Sequence, residues 1–230
     1  MQTAKTNPIR VLLAEDHTVV RQGLRFILDT APEIEVVGEA ENGRQAVNLA
    51  KTLRPDVALL DVAMPHLNGI EAAKQLRGSV PGIRILVLSS YDDDRFVYAA
   101  LSSGVAGYLH KRTAASDLIR AIREVSRGKT FFSPHIAKRL GAGDNARLAV
   151  ARRADSLSNR ESEVLQLIAE GFANKQIADE LKISVKTVEK HRQSMMGKLN
   201  IHEIAGLTRY AIERGLVEQP LRIDGSAFVP

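Results

Sequence analysis

The chain has 230 residues, 44% of them apolar and 26% charged, with a formal net charge of +5 and no cysteine. That size suits one large or two modest domains of ordinary globular composition, and the absence of cysteine excludes disulfides, thiolate chemistry and Cys-ligated zinc. No apolar run approaches the roughly 18 residues of a membrane span and residues 1–8 lack the apolar core of a signal peptide, so a cytoplasmic protein without a membrane partner is expected.

The first half alternates. Short β-rich runs fall at Ile9–Ala14, Glu35–Ala40, Val57–Leu60, Ile83–Ser89 and Gly107–Leu109. Between them, Val20, Leu24, Ile27 and Leu28 keep helical spacing, as do Ala46, Leu49, Ala50 and Leu53. Acidic Asp92-Asp93-Asp94 precedes Phe96, Val97, Ala100 and Leu101, and acidic residues favour a helix N-terminus. Leu118, Ile122 and Val125 make a last amphipathic helix. Strands alternating with helices predict a five-stranded parallel sheet covered on both faces, with right-handed crossovers. Sites in such doubly wound sheets lie outside the carboxyl ends of the strands.

Ser133-Pro134 reads as an N-cap with proline at the first helical position, opening a short helix through Leu140. Gly141-Ala142-Gly143-Asp144-Asn145 breaks it, and 147–155 reads as linker. Charge is uneven here. Residues 123–149 carry six basic against two acidic side chains, while 1–122 balance at 14 each and 150–230 hold twelve against eleven. A basic connector of Arg123, Arg127, Lys129, Lys138, Arg139 and Arg147 suits a polyanion partner or a solvated linker, and charge alone does not choose between them.

The second half has no strand pattern. Ser158-Asn159-Arg160-Glu161 is a capping box opening a helix that buries Val164, Leu165 and Ile168 and stops at Gly171. A second helix spans about Asn174–Leu181. Lys182-Ile183-Ser184 is a tight turn, and Ser184 caps a third helix from Val185 to about Leu199. A fourth runs from about Glu203 to Arg214 and ends at Gly215. Two short helices joined by a three-residue turn describe a helix-turn-helix. Leu221–Pro230 reads as a tail.

The chemistry gathers at three strand ends. Glu15-Asp16 follow the first run, Asp61 ends the third, and Lys111 follows the fifth. Singly, each acid could cap a helix or open a turn. Together, three crowded carboxylates call for a cation. Magnesium, or manganese in its place, takes hard oxygen ligands: Asp16 and Asp61 directly, Glu15 through water, and a backbone carbonyl near Ala63. A metal-bound Asp61 can attack a phosphoryl donor and become an acyl phosphate. Ser89 offers a hydroxyl to the phosphoryl oxygens and Lys111 a point charge.

The arrangement resembles the receiver domain of two-component response regulators over about residues 7–130. The matching residues are Glu15-Asp16, Asp61 with Met64-Pro65 and Gly69, Ser89, Tyr108 and Lys111. The resemblance implies a flavodoxin-like fold, a sensor histidine kinase that phosphorylates Asp61, and roles for Ser89 and for Tyr108 as the switch aromatic. Arg112 departs from the proline common in the family after the lysine.

Other site chemistries were weighed. A haloacid-dehalogenase-type phosphatase resembles Asp-x-Asp, and Ala63 removes its second acid. His17 and His110 flank the site, as transition-metal ligands or as ordinary hydrogen-bonded histidines, the second suiting their spacing better. No Gly-rich phosphate loop ending in Gly-Lys-Ser/Thr is present.

Leu157–Leu165, Asn174-Lys175-Gln176-Ile177-Ala178, Ser184–His191 and Lys198-Leu199 resemble the four-helix LuxR-type DNA-binding domain over about 155–217. With the receiver, the whole chain is similar to the NarL/FixJ class of response regulators. A recognition helix needs a polar, basic face for the major groove. Lys186, Thr187, Lys190, His191, Gln193 and Ser194 supply one, and Lys175, Arg192 and Lys198 could reach phosphates. Ile204, Leu207, Thr208 and Ala211 share one stripe of the last helix. The resemblance implies that this helix pairs output domains, whereas packing within the domain is the plainer alternative.

The expected plan is therefore α/β followed by all-α: receiver 1–130, helical and basic linker 131–154, helix-turn-helix domain 155–217 and tail 218–230. The expected function is a phosphorylation-switched transcription regulator rather than an enzyme. It would dimerise on activation and bind double-stranded DNA at an inverted-repeat promoter site, with RNA polymerase as a candidate further partner. In its off state the receiver is expected to mask the recognition helix. The rival readings are a phosphorylation-independent DNA binder and a phosphatase-like enzyme.

Overall fold

The structure, a computed structural model, describes residues 7–90, 94–133, 136 and 157–217, with the backbone alone for 94 and 95. The expected helix through Leu140, the Gly-rich break and the tail lie outside the described residues.

The first half folds as β1 (Ile9–Ala14), α1 (Thr18–Asp29), β2 (Ile34–Ala40), α2 (Gly43–Leu53), β3 (Val57–Asp61), α3 (Gly69–Ser79), β4 (Arg84–Ser89), α4 (Asp94–Ser102), β5 (Gly107–His110), α5 (Ala115–Ser126) and β6 (Phe131–Phe132). Every strand pairing is parallel, in the order β2-β1-β3-β4-β5-β6. The five expected strands are present and β6 is added. Two residues are too few to show a period of two, so Phe131-Phe132 gave no strand signal before the connector.

Alternate residues of each strand feed opposite faces. Leu12, Ala14, Leu60, Val87 and Tyr108 pack beneath α2, α3 and α4. Val11, Leu13, Leu59, Leu88 and Leu109 pack beneath α1 and α5. Burial on both faces explains why the strands read as continuous apolar runs. The chain leaves β1 for β2 on one side and returns to β3 on the other, so the carboxyl ends of β1 and β3 lie side by side at the switch point.

The second half is α6 (Asn159–Ala169), α7 (Asn174–Leu181), α8 (Val185–Leu199) and α9 (Ile204–Glu213). Ser158 and Glu161 close the expected capping box on α6. Lys182 takes the left-handed conformation at φ 52° to end α7, and the Ser184 side chain accepts from Thr187 N–H to start α8. Val164, Leu165, Leu167, Ile177, Val188, Met195, Leu207 and Ala211 form one small core. Among the described residues no helix is long and apolar enough to cross a membrane.

Candidate functional site

Backbone bonds fix each strand end before any side chain acts. Glu15 N–H donates to Ala40 O at 3.0 Å, and the buried Arg21 guanidinium donates to Glu15 O at 2.8 Å and to Glu41 at 2.9 Å. Gly69 N–H donates to Val62 O at 2.9 Å, folding the loop after β3 back over the strand end. A Cβ on Gly69 would fall 1.9 Å from Asp61 O, so only glycine lets the first turn of α3 approach that closely. Lys111 N–H donates to Ser89 O at 2.8 Å, tying the end of β4 to the residue after β5.

The topology brings the expected groups together. Lys111 Nζ lies 2.8 Å from Glu15 Oε2 and 2.9 Å from Asp61 Oδ2. Glu15 and Asp61 are buried, while Asp16 stays partly open to solvent. Ligand atoms of Glu15, Asp16, His17 and Asp61 all lie within 4.8 Å of one another. Burial, with Glu15 adding to it, pushes the Asp61 carboxyl up to about 7 despite the Lys111 ammonium beside it. The Lys111 ammonium pairs with only two of the three carboxylates, and their hard oxygens fit a divalent cation such as magnesium.

His17 belongs to this cluster through hydrogen bonds, its Nδ1 2.9 Å from Asp16 Oδ1 and 3.2 Å from Glu15 Oε1. The Asp16 charge raises its pKa. His110 turns aside: its Nδ1 accepts from Arg112 N–H at 3.0 Å, which leaves Nε2 to donate to Ser90 O at 3.1 Å. The Arg112 N–H is thus in use, a bond that proline at 112 would lack. Ser89 is buried at the end of β4, and Tyr108 is buried in the core beneath α4.

On α8, Lys186, Lys190 and Gln193 are exposed, and Thr187 and His191 are half-buried; Lys175 on α7 is also exposed. Four of the residues expected to meet DNA have other partners. Ser194 Oγ donates to Glu161 Oε1 at 2.7 Å. Thr187 Oγ1 lies 2.8 Å from Ser184 Oγ at the helix cap, and Arg192 donates to Asn174 Oδ1. Lys198 Nζ donates to Glu161 Oε2 at 2.7 Å. The stripe on α9 divides likewise. Leu207 and Ala211 are core residues, because a helix packed on one face buries the positions that repeat every three or four residues. Ile204 remains exposed and Thr208 half-buried.

Between the two halves lies a set of contacts that sequence reading missed. Gln166, buried on α6, donates to Met64 O at 3.0 Å and accepts from Asn68 N–H at 2.9 Å. His66 N–H donates to Glu170 at 3.1 Å, and the His66 ring meets Phe172 edge-on. Gln75 donates to Glu163 Oε1 at 2.6 Å, and Arg44 Nε lies 3.2 Å from Glu180 Oε1. Phe96 of α4 abuts Gly215, just past α9. The receiver-like half therefore docks on α6, α7 and the end of α9. The expected masking of the recognition helix is not what this arrangement does, since Lys186, Lys190 and Gln193 face solvent. The one local signal was three polar residues, Glu163, Gln166 and Glu170, at spacings of three and four on an apolar helix.

Residues 11–123 match the model of the response regulator receiver domain, and residues 155–211 match that of the bacterial regulatory proteins of the luxR family. The response regulator protein VraR of Staphylococcus aureus is 37% identical over 210 residues, covering 91% of this chain and 99% of the relative. RcsB from Salmonella enterica serovar Typhimurium, solved bound to promoter rprA in the presence of phosphomimetic BeF3−, is 30% identical with a TM-score of 0.57 and covers 89% of this chain. The receiver domain of the response regulator NarL from Mycobacterium tuberculosis is 35% identical with a TM-score of 0.53, over 54% of this chain.

The chain belongs to the two-component response regulators with a LuxR-type output domain. It is a DNA-binding transcription regulator and not an enzyme. Its receiver implies a kinase partner and its helical half binds DNA.

Proposed function

We propose that Asp61 is the phosphoacceptor, that Glu15, Asp16, Asp61 and the Ala63 carbonyl hold a magnesium ion, and that Ser89, Lys111 and Tyr108 register the phosphoryl group. The observation that carries this reading is Lys111 Nζ within 2.9 Å of both Glu15 and Asp61 at neighbouring strand ends. An Asp61 carboxylate oxygen attacks phosphorus, the bond to the kinase's histidine nitrogen breaks, and the electron pair leaves with that nitrogen. Magnesium, when bound, supplies the positive charge that lets crowded anions meet. Lys111 offsets charge on the phosphoryl oxygens, and Ser89 donates its hydroxyl hydrogen to one of them. Tyr108, on β5, packs beneath α4 and couples the site to that helix.

The output is sequence-specific binding of a homodimer to an inverted-repeat promoter site in the cytoplasm, where RNA polymerase is met. Lys186, Lys190, His191 and Gln193 read the major groove, and Lys175 holds a phosphate. The half-sites then lie about one helical turn apart. The test is a gel shift of the full chain with and without acetyl phosphate. Wild type should tighten its DNA binding with the donor, and Asp61→Asn should not. Equal shifts for both proteins, with and without donor, would end the proposal.

A further inference from the structure

The segment after Asp61 is held from both domains: within the receiver Val62 N–H donates to Leu88 O, Gly43 N–H to Leu67 O and Gly69 N–H to Val62 O, and the groups between are bonded by the other domain. The Gln166 carboxamide uses its full bonding capacity: Nε2 donates to Met64 O and to Glu170 Oε1, while Oε1 accepts from Asn68 N–H and Asn68 Nδ2. Gln166 and Asn68 are both buried, so water is poorly placed to replace these bonds. Glu170 takes the neighbouring His66 N–H with both oxygens, at 3.1 and 3.2 Å, and His66 sits at φ 65°, a conformation non-glycine residues rarely adopt. Three main-chain groups of segment 64–68 thus bond to two side chains of the other domain, Gln166 on α6 and Glu170 just after it. The same segment is covalently continuous with Asp61 and Ala63, and its Asn68 caps α3 by accepting from Glu71 N–H at 2.9 Å.

At the site itself, the Lys111 ammonium already bridges Glu15 and Asp61. A divalent cation and a phosphoryl group enter this edge by rearranging it. Any displacement of Met64 O or Asn68 N breaks hydrogen bonds to the buried Gln166, which is costly because each leaves an unsatisfied polar atom, and displacement of His66 N breaks its bond to the half-buried Glu170.

We propose that Gln166 is a positioning residue of the receiver: from the DNA-binding domain it clamps segment 64–68, and so restrains metal and phosphoryl binding at Asp61. This rests on the reading of Asp61 as phosphoacceptor. Glu170 assists through His66. Coupling is reciprocal, so a phosphoryl group on Asp61 loosens the docking of α6 on the receiver by the same factor.

The experiment titrates beryllofluoride, a phosphoryl mimic, with magnesium into the full chain, following bound fluoride by 19F NMR. Wild type, Gln166→Leu, Glu170→Ala, the double variant and Asp61→Asn are compared, each after its melting temperature has been recorded. Gln166→Leu and Glu170→Ala should each bind the mimic about fivefold or more tightly than wild type, and the double variant less tightly than the product of the two gains. A purely structural role would lower the melting temperature and leave this affinity alone. Affinities within about twofold of wild type, or weaker, in the folded variants overturn the proposal. Should Gln166→Leu fail to fold, Glu170→Ala decides alone. No uptake by wild type, matching Asp61→Asn, removes the phosphoacceptor reading and the clamp with it. Normal wild-type uptake with unchanged variants removes the clamp only.

Discussion

Lys198 Nζ donates to Glu161 Oε2 at 2.7 Å, joining the last turn of α8 to the first turn of α6. The same carboxylate accepts from Ser194 Oγ at 2.7 Å and from Ser158 N–H at 2.7 Å. A lysine near the end of a recognition helix reads as a phosphate contact, yet this one holds two helices together. Lys198→Met should lower the domain's stability by about 1–3 kcal/mol, the scale of a hydrogen bond to a buried charge. Its effect on the salt dependence of DNA binding should be small. A calorimetric melt and a salt titration separate the two, and a full unit lost from the salt slope with an unchanged melt would restore Lys198 to the DNA face.

The same cluster sets an acid limit. Burial pushes the Glu161 carboxyl up, but Lys198, Ser194 and Ser158 together bring it down to about 2 from an ordinary 4.5. A depressed carboxyl contributes stability that is present above its unfolded pKa. That stability is lost as the pH falls from about 4.5 to about 2. Urea midpoints of the full chain across this range should fall less steeply in Glu161→Gln than in wild type. Parallel slopes would show that other groups set the acid limit.

At Asp61 the sign is reversed. Its carboxyl is raised to about 7 from 3.8, so the stability it contributes is full below pH 3.8 and fades as the pH rises through about 7. Binding of a divalent cation must displace that proton. Magnesium affinity should therefore climb as the pH rises toward 7 and level off above it. Titration calorimetry at pH 6 in buffers of different ionisation enthalpy should report proton release, and Asp61→Asn should release less. An enthalpy independent of buffer would exclude a protonated Asp61.

Much of this was legible in the residues because the strands are short, apolar and separated by strong helix signals. Glu15, Asp16, Asp61, Ser89 and Lys111 could be assigned to one edge because a parallel sheet points every carboxyl end the same way. Phe131-Phe132 was not legible as a strand, since two residues cannot display an alternation of period two. Gln166 was not legible either. Two of its partners, Met64 O and Asn68 N–H, are main-chain atoms of another domain, and main-chain atoms leave no mark on composition or periodicity. Leu207 and Ala211 illustrate a different limit: an apolar stripe shows that a face is covered without showing by what.

For DNA, the proposed electrostatic contacts fall on Lys186 and Lys190, which are exposed on α8. Each substitution to alanine should weaken binding and reduce the magnitude of the salt slope by about one. The exposed Gln193 should act differently, because a carboxamide distinguishes base edges without neutralising phosphate. Gln193→Ala should lower the preference for the cognate site and leave binding to random duplex unchanged. Competition gel shifts with both duplexes measure this, and equal loss on both would remove Gln193 from the base-reading set.

The last helix offers the sharpest separation. Leu207 is fully buried in the output-domain core, whereas Ile204, one turn earlier, is 56% exposed. Leu207→Ala leaves a cavity and should cost about 2–5 kcal/mol of stability whether or not the protein dimerises. Ile204→Asp removes an apolar contact from an exposed position and should leave the melting temperature nearly unchanged. If α9 pairs two output domains, Ile204→Asp should reduce phosphoryl-dependent dimers in analytical ultracentrifugation and weaken binding to a two-half-site duplex, with little loss on a single half-site. If dimers and two-site binding persist in Ile204→Asp, the pairing face lies elsewhere, and the stripe first read as an interface is then only the inner wall of one domain.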